Sequence, residues 1–260
     1  MIDHETVLAM KAWFKDYVKR FHFDDPENQR NIDLKEKHSM RVCAEILDIG
    51  KSLNLENDSL CLAEVIALFH DIGRFEQYFR YATFVDSESE NHAILGVRIL
   101  REEGVLKKID LPTSELIFRA ITYHNRAKLP TDETGKCLLF SRLLRDADKL
   151  DIWRVVTDYY LKTGGTKNKA IELGLPDSPE ISDETLKDLM AEKIVKFSSI
   201  KTLNDFKLLQ IGWVYDVNFK RTFQLIQERG YIEIIRDILP KSDKISKIYS
   251  KVQSYLKRVG

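Results

Sequence analysis

Four histidines and two aspartates stand where a helix would place apolar side chains. Over residues 34–53 the inward stripe runs His38, Val42, Ile46, Ile49, Leu53, in steps of four, four, three and four, so His38 faces the interior. The next stripe is Ala63, Ile66, Ala67, His70, with Asp71 beside it. Three more read His92, Leu95, Gly96, Ile99; then Ile117, Ala120, Ile121, His124; then Leu144, Asp148, Ile152, Val155. One such histidine is explained as a hydrogen-bonded core residue. Five helices turning imidazole or carboxylate groups inward need another explanation. Two buried carboxylates require compensation, because an unpaired ion in a low-dielectric interior is very costly. The stripes contain no Lys or Arg, and neutral imidazoles do not neutralise acids. Divalent cations would, and they would accept the imidazole lone pairs as well. Consecutive helical residues point about 100° apart, so His70 and Asp71 can converge on one ion near a helix end. The two oxygens of Asp71 allow it to bridge a second ion. Open coordination positions would hold water, acidic enough between two cations to act as a nucleophile at neutral pH.

The elements that must position these groups are helical almost throughout. Apolar residues recur at helical spacing, and period-two alternation is hard to find. Helices are expected near residues 5–20, 34–53, 58–72, 90–103, 113–124, 136–162, 182–198, 202–229 and 241–258. Breaks are expected at Pro26, Gly104 with Pro112, Pro130 with Gly135, Gly164-Gly165, Pro176 with Pro179, and Pro240. Asp58 and Ser182 suit N-caps and Gly104 a C-cap. The segment LKTGGTKNKAIELGLPDSP is the best linker candidate. It divides residues 1–163, which hold every histidine, from residues 164–260, expected to be a helical appendage packed on the first region.

Composition narrows the class. The 260 residues carry 41 Lys+Arg and 41 Asp+Glu, so the formal net charge is zero, and 43% are hydrophobic. That balance excludes a disordered chain and argues against DNA binding through phosphate neutralisation. Cys43, Cys61 and Cys137 are widely spaced without a CxxC pair, so no thiolate zinc site or disulfide frame is expected, only small core residues. No apolar run suits a membrane span, and the N-terminal amphipathic stretch lacks the pattern of a signal peptide. A cytoplasmic location is the expectation.

The array resembles the HD-domain superfamily of metal-dependent phosphohydrolases, whose pattern is a His, a His-Asp pair and a distant Asp. Here these are KHSMRV (His38), FHDIGRFEQ (His70, Asp71) and RDADKLD (Asp148). NHAILGVRIL (His92) and ITYHN (His124) are similar to the two further histidines of the binuclear branch. The resemblance covers roughly residues 34–160. It implies an all-α fold, an HD-domain helical bundle with an added C-terminal helical region. It also implies a first metal held by His38, His70, Asp71 and Asp148, and a second held by Asp71, His92 and His124. Within RDADKLD, Asp148 is the ligand because the family's Asp usually precedes a basic residue; Asp146 and Asp151 are candidates to orient the histidines. The cyclic-dinucleotide branch carries a Gly-Tyr-Pro signature and a His pair. This chain has His124-Asn125 and no such tripeptide, so that branch is not expected.

The resemblance implies a hydrolase acting on a nucleotide or other small phosphate ester, with one or two divalent ions (Fe, Mn, Co, Ni or Zn; Mg possible). Asp71 is the central catalytic residue. Arg74, Lys149 and Arg126 are the foremost candidates to receive phosphate, with Arg80, Arg145 and Arg154 behind them. Asp146 and Lys149 are further catalytic candidates, Asp146 as a proton donor. No membrane or DNA partner is expected; a homo-oligomer is open, because Trp213, Tyr215, Phe219 and Phe223 form either core or an interface. Two alternatives share the ligand set: an HD-type di-iron oxygenase, similar to the myo-inositol oxygenase family, and a non-catalytic metal-binding helical protein. The loop FRYATFVDSESE is a candidate lid.

Overall fold

The computed structural model describes residues 2–162 and 168–260. Every regular element among them is helical, as the periodicity requires. The α-helices are α1 (His4–Val18), α2 (Pro26–Ser52), α3 (Asn57–Phe69), α4 (Gly73–Tyr81), α5 (His92–Glu102), α6 (Leu111–Tyr123), α7 (Gly135–Leu161), α8 (Lys169–Glu172), α9 (Asp183–Met190), α10 (Leu203–Gly212), α11 (Lys220–Glu228), α12 (Tyr231–Asp237) and α13 (Asp243–Val259). The chain divides into two compact units, Met1–Asp151 and Ile152–Gly260, with the division falling inside α7. Gly164-Gly165, the break expected in the linker, lies outside the described residues.

Several boundaries differ from the sequence expectation for identifiable reasons. Pro26 begins α2 instead of preceding it: Asp25 caps the helix by accepting from Asn28 N at 2.8 Å, and proline at the first position costs no hydrogen bond. The helix expected over 58–72 stops at Phe69, and a separate helix follows at Gly73. The cap residue of α3 is Glu56, not Asp58, which sits in the first turn. The long helix expected over 202–229 is interrupted after Gly212 by a 3-10 turn, Trp213–Asp216, and Asn218 turns its amide onto the Asp216 carbonyl. The helix expected over 182–198 ends at Met190. The C-cap of α5 is Glu103, one residue before the expected Gly104, which follows it with φ +62° and ends the helix in the left-handed region.

In the first unit α2 packs along α3, α1 and α6 also contact α3, and α5 contacts α4 and α6. Phe14, Ile46, Ile66, Phe69, Phe75 and Leu144 are fully buried among these elements. Within the second unit α9 contacts α10 and α13, and α11 contacts α12 and α13. Trp153, fully buried there, donates to the Gln210 carbonyl at 2.9 Å. Phe223 is buried, while Trp213, Tyr215 and Phe219 are half-buried. Cys43 and Cys137 are buried free thiols; Cys61 is only half-buried. No helix among the described residues is long and apolar enough to cross a membrane.

Candidate metal centre

All six proposed ligands belong to the first unit, and most stand at helix ends. His70 and Asp71 occupy the turn between α3 and α4, closed by Ile72 N on the Phe69 carbonyl and Arg74 N on the Asp71 carbonyl. His92 is the first residue of α5, and His124 caps the C-terminus of α6. Only His38 on α2 and Asp148 on α7 project from helix interiors. Helix ends let side chains from different directions reach one point, which a row of parallel helix faces does not.

The ligand atoms form two groups, His38–His70–Asp71 and Asp71–His92–His124, each buried and each within 4.8 Å across. In the first group Nε2 of His38 lies 3.2 Å from Nε2 of His70, and Asp71 Oδ2 lies 3.6 and 3.7 Å from them. Asp148 Oδ1 approaches the same two nitrogens, at 3.1 and 3.7 Å. In the second group Nε2 of His92 lies 3.0 Å from Nε2 of His124, with Asp71 Oδ1 at 3.3 and 3.8 Å. Asp71 thus turns one oxygen to each group. Ligands bonded at about 2.1 Å to a common ion stand about 3.0 Å apart at right angles and about 3.4 Å apart at the tetrahedral angle. The two Nε2–Nε2 pairs and the Asp148–His38 and Asp71–His92 contacts fall in that range, at 3.0–3.3 Å, while the other carboxylate distances are wider, at 3.6–3.8 Å.

The opposite ring nitrogens are all engaged by acceptors. Nδ1 of His70 and of His124 donate to the carbonyls of Ala67 and Ile121, at 2.7 and 2.6 Å. Nδ1 of His38 meets Asp151 Oδ2 at 2.6 Å, and Nδ1 of His92 meets Asp86 Oδ2 at 2.8 Å. A carbonyl or carboxylate can only accept, so each neutral ring carries its proton on Nδ1 and turns the Nε2 lone pair to the cluster. Two facing lone pairs 3.0–3.2 Å apart repel unless a proton or a metal ion lies between them. Burial, with Arg74 nearby, pushes His92 down to about 3, which keeps this ring neutral. His38 moves the other way: burial opposes its charge, but the contacts to Asp148 and Asp151 outweigh it and raise it. Burial would raise Asp71 and Asp148; Lys35 and His70 hold Asp71, and His38 and His70 hold Asp148, well below the usual carboxylate range. The donor set therefore fits divalent transition ions.

Sequence reasoning missed two partners. The stripes were expected to carry no cation, yet Lys35 Nζ lies 2.8 Å from Asp71 Oδ2. Lys35 precedes His38 by three residues, so the same helical spacing extended one step back finds it. Asp86, in the segment expected to be a loop lid, accepts from His92 Nδ1, Arg74 and Gln77 and, at 3.2 Å, from Asn125. No periodicity marks Asp86, because it lies between α4 and α5.

The other expected residues are distributed unevenly. Arg74 bonds the Phe84 carbonyl and Asp86, with its Nε 3.6 Å from Asp71 Oδ1. Asp151 is fully buried between His38 and Arg41, which it holds by Nε and at 2.9 Å by Nη2. Asp146 is fully buried; Lys149 is nearly so and donates to the Arg145 carbonyl at 3.4 Å. Arg126 is exposed, its guanidinium over the Tyr123 ring at 4.7 Å.

Residues 36–153 match the family model of the HD domain. This segment is an HD domain, and HD domains are for the most part metal-dependent hydrolases. No curated protein and no solved structure matches the chain.

Proposed function

We propose that this chain, with its HD domain over residues 36–153, hydrolyses a nucleotide or another small phosphate ester at a two-metal centre. The observation that carries the reading is the sharing of Asp71: each of its oxygens faces one pair of imidazole Nε2 atoms. His38, His70, Asp71 and Asp148 would hold one ion, and Asp71, His92 and His124 the other. Such ions supply Lewis acidity toward phosphoryl oxygens and lower the pKa of bound water. The chain's own contribution is orientation. Asp151, Asp86 and the carbonyls of Ala67 and Ile121 fix the four rings before any ligand arrives. For phosphate contacts we rank Arg74 and Lys149 ahead of Arg126, which lies on Tyr123. Asp146, being fully buried, suits an orienting role better than proton donation to a leaving group.

The test is phosphate release from a panel of nucleotides and phosphate esters after loading with Mn²⁺, Co²⁺, Fe²⁺, Ni²⁺, Zn²⁺ or Mg²⁺. Turnover by the native protein, lost in a folded His70→Ala variant, is the expected result. Oxygen uptake by the iron-loaded protein without phosphate release would overturn the hydrolase in favour of an oxygenase. Metal binding without turnover on any substrate would favour a non-catalytic protein.

A further inference from the structure

The Lys35 ammonium stands on the same oxygen that the first ion would use. It lies 2.8 Å from Asp71 Oδ2 with its side chain 18% exposed, and among the described residues it forms no other ion pair. Its other neighbour is the face of Phe84, with Nζ 5.4 Å from the ring centroid. Phe84 is buried and also lies near Arg74, whose guanidinium carbon is 5.9 Å from the same centroid. An ammonium over an aromatic face and on one carboxylate oxygen is a held charge.

That charge acts in two directions. It compensates the buried Asp71 carboxylate without a metal. It also withdraws electron density from Oδ2 and repels any dication bonded there. The second group uses Oδ1, which pairs with Arg74 Nε at the longer distance of 3.6 Å, and Arg74 is shared with Asp86. The two ion positions are therefore biased differently by the chain's own cations.

We propose that Lys35 is a positioning residue that competes with the ion of the first group for Asp71, lowering affinity there while stabilising the metal-free fold. The inference rests on the two-metal reading of the site, although not on any turnover. It makes the first ion the exchangeable one.

The experiment uses the full chain with Mn²⁺ alone, in competition with a chelator, and thermal melts in EDTA and in saturating Mn²⁺. Lys35→Met, which keeps the stem and removes the charge, should bind the first ion about tenfold more tightly. Its melting temperature should fall in EDTA and recover in saturating Mn²⁺, so that the metal-induced increment grows. Lys35→Arg, which keeps the charge, should retain affinity and increment close to the native values. A merely structural lysine would lower both melts of Lys35→Met equally and leave affinity unchanged. Unchanged or weaker Mn²⁺ binding in Lys35→Met would overturn the proposal. Should Lys35→Met fail to fold, Lys35→Gln takes its place with the same expected crossing. A protein inert toward every phosphate ester that still shows this crossing leaves the Lys35 assignment standing and rejects only the hydrolase.

Discussion

Gly73 and Gly96 meet backbone to backbone where α4 crosses α5: a Cβ on Gly73 would lie 2.7 Å from the Gly96 nitrogen, and closer still to the His92 carbonyl oxygen. This contact ties the turn bearing His70 and Asp71 to the helix that begins with His92. Beside this close approach, Asp71 Oδ1 lies 3.3 Å from His92 Nε2.

Gly73→Ala should therefore damage both stability and the second ion position. The added methyl meets backbone, which cannot rotate aside, and overpacking of this kind typically costs about 1–3 kcal/mol. Gly96→Ala should be milder. Its Cβ would lie 3.0 Å from the Ile72 side chain and 3.2 Å from the Gly73 nitrogen, tight but less so than the contacts a Cβ on Gly73 would make, and alanine gains helix propensity over glycine. Urea melts with metal analysis would check this. Equal stability and metal content for Gly73→Ala would refute the close-packing argument.

Asp86→Ala should weaken the second ion selectively. His92 would lose the carboxylate that fixes its Nδ1 proton, and removing such an outer partner costs about 10–100-fold in metal affinity. His38 and His70 keep their own anchors, so the first ion should be retained. Competition titration with a chelator resolves the two ions; loss of both together would contradict the assignment.

Thiol chemistry should separate the cysteines. Burial, with Glu64 nearby, pushes the Cys43 thiol up to about 12. A raised thiol pKa contributes stability that is complete below the unfolded value of about 8.5 and is lost as pH rises toward 12. At pH 8 a thiol reagent should label Cys61 in the native protein and leave Cys43 untouched until the chain unfolds. Cys43→Ala should flatten the alkaline loss of stability. Peptide mapping after labelling, and melts across the alkaline range, are the measurements.

Ala82→Gly should stabilise the protein. Ala82 ends α4 with φ 52°, a left-handed conformation that costs an L-residue with a Cβ roughly 1–2 kcal/mol. Glycine removes most of that cost and returns part of it as unfolded-state entropy. A rise of about 0.5–1 kcal/mol in chemical denaturation is expected, without change in metal content.

The helical class and the inward direction of the six candidate ligands were legible in the chain itself. Helical spacing carries inward direction, and His38 or His124 on an apolar stripe breaks the pattern visibly. The adjacency of His70 and Asp71 also pointed to convergence near a helix end. What periodicity does not encode is where helices stop. The 202–229 stripe looked continuous, yet the chain turns after Gly212. The cations around Asp71 were hidden for a related reason. Lys35 reads as a solvated charge until α3 and α4 are placed against α2. Asp86 reads as a loop acid until α5 brings His92 beneath it. Local hydrophobic spacing determined which side chains point inward. Only the crossing of separate helices, such as that at Gly73 and Gly96, decided which of them share an oxygen, because such a distance depends on packed backbones and not on neighbours along the chain.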